Sequence, residues 1–138
     1  MSKDFNKNKV AVLTGAAKKI GRSTAIKLAE QGFNILIHTG GKSIEEAKDT
    51  INLLEKFKIK SNYVIGDLAN LETINIIKDA ALKLGTPSVL VNNAGLRIHE
   101  HFEKIDYKDW KKVMTVNVDA SFLCCLLYTS DAADESCS

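Results

Sequence analysis

The sequence predicts an α/β protein: the N-terminal half of a doubly wound parallel sheet, cut off before the sheet is complete. Short β-branched apolar runs alternate along the chain with longer stretches of helical period, which is the pattern of βαβ units. There are four such runs, where a whole doubly wound sheet has about six. The 138 residues are 45% hydrophobic, enough for one packed core and too apolar for a disordered chain.

The elements follow in order. KVAVLT, Lys9 to Thr14, is a buried-strand run, and FNILIH, Phe33 to His38, is a second. Between them Ile20, Ala25, Leu28 and Ala29 are expected to form the inward face of a helix, with Gly32 as its C′ stop. SIEE, Ser43 to Glu46, reads as a capping box that opens a second helix with Ala47, Ile51 and Leu54 inward. SNYVI, Ser61 to Ile65, is the third strand, and GDLAN a turn. Leu71 to Leu84 is the third helix, with Ile74, Ile77, Ala81 and Leu84 on one face and Gly85 after it. SVLVNNAG, Ser88 to Gly95, is a fourth strand entering a polar turn, with Pro87 placed just before it. Asp106 then caps a fourth helix that runs towards Phe122, with Trp110 as its core anchor.

Composition narrows the function. Nineteen basic against seventeen acidic residues give a net charge of +2, far from the imbalance of a general nucleic-acid binder. The N-terminal MSKDFNKNK has no apolar signal region, and no stretch approaches the roughly 18 apolar residues of a membrane span, so a cytoplasmic location is expected, with neither nucleic acid nor membrane as partner. Cys124, Cys125 and Cys137 have neither CxxC spacing nor a disulfide framework. His99 and His101 stand two apart beside Glu100 and Glu103 without a third ligand at metal spacing, so they are read as a loop or substrate rim and no metal is expected. The readable domain is residues 1–124. CLLYTSDAADE, from Cys125, has no strand period or apolar helical face and matches a translated end of a transposon-based sequencing adapter, so 125–138 are expected to be a non-native tail.

In TGAAKKIG, Gly15 and Gly21 follow a strand and precede a helix, the setting in which amides and helix dipole receive a phosphate; a tight turn wants glycine there too. Three more elements join it: GDLAN with Asp67, NNAG at Asn92 to Gly95, and VMTVNVDASF with Asn117. In this order and spacing they resemble the short-chain dehydrogenase/reductase family, over residues 9 to 124. The resemblance implies a Rossmann-like fold whose cofactor-binding residues would be Thr14, Gly15, Lys18, Lys19, Ile20, Gly21, Lys42, Ser43, Asp67, Leu68, Asn93, Ala94 and Gly95. Within it Asp67 would bind the adenine amino group, Asn93 to Gly95 would line the ribose side, and Asn117 would be catalytic, holding a proton-relay water.

NAD-binding folds carry an acid after the second strand, about 20 residues past the glycines, while NADP binders use cations. No acid lies between Glu30 and Glu45, where HTGGKS offers Lys42 and Ser43, and in the family a base at Lys18 goes with NADP(H). The expected cofactor is therefore NADP(H). Lys19 replaces the family's middle glycine, and its ammonium would meet either a phosphate or the substrate end.

The resemblance implies an NADP(H)-dependent oxidoreductase that reduces a carbonyl on a small or carrier-bound substrate, 3-oxoacyl in type, and a full-length homo-oligomer, dimer or tetramer. NNAGLRIHEHFEKIDYKDW resembles 3-oxoacyl-carrier-protein reductases, while TGAAK followed by a second base is similar to pteridine reductases. A non-catalytic NAD(P)-binding sensor is the alternative from another class. The family's catalytic Ser, Tyr and Lys are not found: Tyr128, the only tyrosine after Asn117, is followed four residues later by Ala132. The fragment by itself is expected to be inactive.

Overall fold

The computed structural model describes residues 3–132, with side chains described over residues 4–126. Strands β1 (Lys9–Thr14), β2 (Asn34–Thr39), β3 (Ser61–Ile65) and β4 (Thr86–Asn92) form one parallel sheet in the order β3-β2-β1-β4. Helices α1 (Lys19–Glu30) and α2 (Ile44–Leu54) connect β1 to β2 to β3, and α3 (Leu71–Leu84) connects β3 to β4. Beyond β4 a loop leads to α4 (Tyr107–Met114), a π-helical turn over Thr115–Asp119, and α5 (Ala120–Ala132).

Burial explains the strand sequences. β1 and β2 are covered on both faces, so their central runs, Val10 to Leu13 and Ile35 to Ile37, are apolar without alternation. One face packs Ala11, Leu13, Ile35 and Ile37 against Ala25 and Ala29 of α1 and Ala47 and Leu54 of α2. The other packs Val10, Val12, Leu36 and Val64 against Ile74, Ile77 and Ala81 of α3 and Ala120 and Cys124 of α5. Burial pushes the Cys124 thiol up to about 11, which keeps it protonated and inert. Among the described residues no helix is long and apolar enough to cross a membrane.

Five local expectations change. Ile20 is 75% exposed; the buried set on α1 is Gly21, Ala25 and Ala29, and Ile20, one residue before it, is rotated about 100° away from that face. Ser43 makes no side-chain cap bond, because it ends a 3₁₀ turn over Gly41–Ser43 with φ −122° and ψ 35°. Pro87 lies inside β4, where Val10 pairs with Pro87 but Ala11 with Val89; the bulge at Ser88, on an outer strand, accommodates a residue with no N–H. Trp110 is 52% exposed, so it anchors no core. The single helix expected from Asp106 is two helices joined by the π turn, and α5 continues past Cys124 to Ala132. Residues 133–138 of the expected tail lie outside the described residues.

The strands all run the same way, so their C-terminal ends gather at one edge of the sheet. Gly15, the Gly40–Ser43 turn, Gly66–Asp67 and Asn93–Gly95 meet there, which is where a parallel sheet leaves a crevice for ligands.

Candidate functional site

The turn after β1 is held from several directions. Gly15 has φ +60°, and a Cβ on it would come within 2.6 Å of the Ala94 Cα; a Cβ on Gly21 would stand 2.5 Å from the Ala16 Cα. Only glycine lets the turn, α1 and the β4 turn approach this closely. Thr14 is buried, and its Oγ1 accepts from the Asn93 and Ala94 amides at 3.2 and 3.1 Å. The Asn93 side chain returns a bond from Nδ2 to the Gly15 carbonyl at 2.8 Å. Thr14 and Asn93 therefore join the two glycine-bearing turns to each other.

A second set of braces comes from α2 and β2. Thr50 Oγ1 is 2.6 Å from the Ala17 carbonyl and accepts from Arg22 Nε at 2.8 Å. Arg22 also donates to the carbonyls of Ala17 and Glu46. His38 is buried and accepts the Gly15 amide on Nδ1 at 3.2 Å while its Nε2 meets the Gly66 carbonyl at 2.9 Å. Its pKa is lowered from 6.5, chiefly by burial, against the opposing effects of the Gly66 bond and the Asp67 charge. A ring whose Nδ1 accepts and whose Nε2 faces a carbonyl is the neutral Nε2–H tautomer.

These turns enclose an open cleft of about 750 Å³ lined by Gly15, Lys42, Ser43, Asp67, Leu68, Asn93, Ala94 and Gly95 among the expected residues. Asp67 spends one carboxylate oxygen on the Ala69 amide at 2.9 Å. Thr14 and Gly21 lie in the turn's frame. Lys19 and Ile20 line a separate depression with Ser23, Thr24 and Lys27. Lys18 is the exposed N-cap residue of α1, with no side-chain cap bond, and lines neither hollow.

The cleft suits a phosphorylated ligand at the turn. The first amides of α1 have no acceptor inside the helix, no side chain caps them, and the first turn of α1 carries no acid. Lys42 and Lys112 on the rim are the cations among the lining residues. No group of three or more metal-ligating side chains forms among the described residues.

Asn117 sits in the π turn with its side-chain amide paired to one residue: Oδ1 accepts from Leu96 N at 2.7 Å, and Nδ2 donates to Leu96 O at 2.8 Å. It ties that turn to the segment following NNAG. Sequence reasoning missed His38, Arg22, Thr50 and Lys112. For His38 the signal was a histidine closing an otherwise apolar strand; Arg22 and Thr50 stand on helices whose apolar period says nothing of them. Lys112 lies four residues before Val116, which lines the same cleft.

Comparison with known proteins agrees with this arrangement. The family model for short chain dehydrogenase matches residues 9–135. The 3-oxoacyl-[acyl-carrier-protein] reductase FabG of Staphylococcus epidermidis is 34% identical over 123 residues, 85% of this chain and 48% of that protein. The L-2,3-butanediol dehydrogenase of Corynebacterium glutamicum is 38% identical over 118 residues, 83% of this chain and 45% of that protein. Among solved structures, acetoin dehydrogenase from Enterobacter cloacae superposes with a TM-score of 0.85 at 31% identity, covering 93% of this chain and 51% of that one. The chain thus spans about half the length of the relatives it matches. With its four-stranded sheet, its glycine turn and the match along residues 9–135, the chain belongs to the short chain dehydrogenase family.

Proposed function

We propose that the cleft binds the adenosine end of NADP(H) and that the complete protein reduces a carbonyl, 3-oxoacyl in type. The observation that carries the cofactor choice is the wall after β2: Lys42 and Ser43 line the cleft there, and no acid occurs between Glu30 and Glu45 to accept from a ribose 2′-hydroxyl. Asp67 has a carboxylate oxygen beyond the one engaged by Ala69 for an adenine amino group. The uncapped first turn of α1 faces the pyrophosphate in this reading.

The bound nicotinamide cofactor supplies the hydride. This chain's own part is to bind and orient it. Asn117 contributes through position: its side chain is committed to Leu96, and a π turn frees a backbone carbonyl from α-helical pairing, so a relay water would rest on that carbonyl. In this reading the side chain of Asn117 fixes the turn through Leu96, and its place in the turn holds the relay water that the resemblance implies.

For the substrate, the 34% identity to FabG supports a 3-oxoacyl thioester. The butanediol and acetoin dehydrogenase relatives support a second reading, a small hydroxyketone or diol. The pteridine alternative rests on Lys19, which lies outside the cleft. The reading of 125–138 as appended sequence stands within the same proposal, and sequencing the gene past the codon for Cys124 tests it.

Titrating residues 1–138 with 2′,5′-ADP and with 5′-AMP tests the cofactor choice without the missing half of the family fold. At least tenfold tighter binding of the 2′-phosphorylated nucleotide is expected, about the value of one charge-assisted phosphate contact. Equal affinities would remove the argument from Lys42 and Ser43.

A further inference from the structure

We propose that His38 is a positioning residue for dinucleotide binding: one imidazole at the end of β2 locks the phosphate turn at Gly15 to the Gly66–Asp67 turn at the adenine end. The role rests on the dinucleotide reading above. It was not visible in the glycine motif, because the residue lies on a different strand.

Two consecutive amides of the turn end on His38. Gly15 N donates to the ring Nδ1 at 3.2 Å, and Ala16 N donates to the His38 carbonyl at 2.9 Å. On its other side the ring meets the Gly66 carbonyl at 2.9 Å, and the next residue, Thr39, accepts from Gly66 N at 3.1 Å. Residues 38 and 39 therefore hold both cleft turns with four bonds, and the ring makes two of them. Burial shields these bonds from competing water.

This assigns the donors of the turn. The Gly15 and Ala16 amides are spent on His38, so the ligand is left the amides opening α1. Gly15 opens the turn into α1 with φ +60°. Nothing in the backbone of a glycine enforces such a conformation; the His38 ring helps to hold it by accepting the Gly15 N–H, with Asn93 on the Gly15 carbonyl.

The clamp works only while the ring is neutral. Protonation would place a second N–H against the Gly15 N–H, two donors face to face. The charges facing the ring's surroundings are Asp67 on the β3–α3 turn, Lys42 on the wall before α2, and Lys112 on α4. Of these Asp67 favours the protonated ring, while burial opposes it more strongly. The turn is consequently locked at neutral pH and loosens on acidification below 6.5.

The test uses the 138-residue chain, wild type and two variants. His38→Asn keeps an acceptor where Nδ1 stands and does not titrate; His38→Ala keeps nothing. In the nucleotide-free protein, the Gly15 amide resonance of the wild type should titrate with the same midpoint as the His38 ring, with Nε2 carrying the neutral ring's proton. NADPH affinity should be alike in wild type and His38→Asn at pH 8. The wild type should then fall by up to about tenfold relative to His38→Asn as the pH drops through the midpoint of the ring, the worth of one hydrogen bond; taking the ratio cancels titration of the ligand's own phosphate. His38→Ala should bind about tenfold more weakly than His38→Asn at pH 8. A Gly15 amide indifferent to the ring, with NADPH still bound, overturns the clamp alone. Co-titration in a protein that binds no NADPH overturns the dinucleotide reading, and with it the role, though not the bond.

Discussion

The two walls of the cleft are built on different principles. The wall formed by the β1 turn and the start of α1 is cross-braced: Thr14 of β1, Arg22 of α1, His38 of β2, Thr50 of α2 and Asn93 of the β4 turn bring side-chain bonds onto Gly15 to Ala17 and the β4 turn. The wall formed by α4 and the π turn shows Tyr107, Trp110, Met114 and Val118 to the outside, lines the cleft with Lys112 and Val116, and is tied to the segment after NNAG by the Asn117 side chain, paired with Leu96. The first wall is specified by close approach, where any added atom meets backbone. The second is specified by a single two-point hydrogen bond, and should tolerate change in everything but that pair.

The sharpest way to break the first wall is Gly21→Ala. The new Cβ would stand 2.5 Å from the Ala16 Cα and 2.9 Å from Asn93 Nδ2, with backbone on one side and an engaged amide on the other. A loss of about 3 kcal/mol is expected, at the upper end for overpacking, and thermal unfolding would measure it. A loss below about 1 kcal/mol, the ordinary size of a point-mutation effect, would mean the turn is less rigid than its bonds suggest.

Thr50→Val tests the braces rather than the packing. The variant keeps the volume but leaves the Ala17 carbonyl to Arg22 alone and removes the nearer of the two acceptors of Arg22 Nε. The expected cost is about 2 kcal/mol, that of leaving buried polar groups short of a partner. Nucleotide affinity should fall as well, because Ala17 directly precedes the residue that caps α1. Unfolding in urea and an NADPH titration separate the two effects.

On the second wall, Asn117→Ala should cost less. Asn117 is exposed, so water can replace it at the Leu96 amide and carbonyl, and a stability change of about 0.5 to 1 kcal/mol is expected. On the function proposed above, its larger effect belongs to the complete protein, where a displaced π turn would lower kcat more than it raises KM. Equal changes in both constants would return Asn117 to a purely structural part.

The difference between the walls also accounts for what could be read in advance. Strands β1 and β3 and helix α3 were legible to the residue, because an apolar run or a 3.6 period records burial directly. The glycine turn and Asp67 were legible through their order along the chain. What periodicity does not record is a bond between a side chain and distant backbone, so His38 read only as the end of a strand and Thr50 as nothing in particular. Ile20 and Trp110 were misplaced for the opposite reason. Large apolar residues were assigned inward, but Ile20 lies one residue off the packed face of α1, and the π turn inserts an extra residue that breaks the register after α4. Ser43 has the composition of a capping box without its backbone, since a 3₁₀ turn occupies the place where an extended N-cap would stand.

Lys19 separates the two ways in which a residue can belong to the braced wall. It has φ +56°, the left-handed region where a side chain costs about 1 kcal/mol that glycine does not. Lys19→Gly should therefore stabilise the fold by up to about 1 kcal/mol. Lys19 lines not the main cleft but a separate hollow with Ser23 and Lys27, at the first residue of α1, whose opening amides would seat an anion. If the lysine serves that anion, the same substitution that raises the unfolding temperature will weaken NADPH binding two- to fivefold, about the worth of a solvent-exposed charge pair. A stabilised variant with unchanged affinity would instead make Lys19 a strained surface residue and leave phosphate binding entirely to the backbone, consistent with a wall whose other contacts are already fixed by close approach.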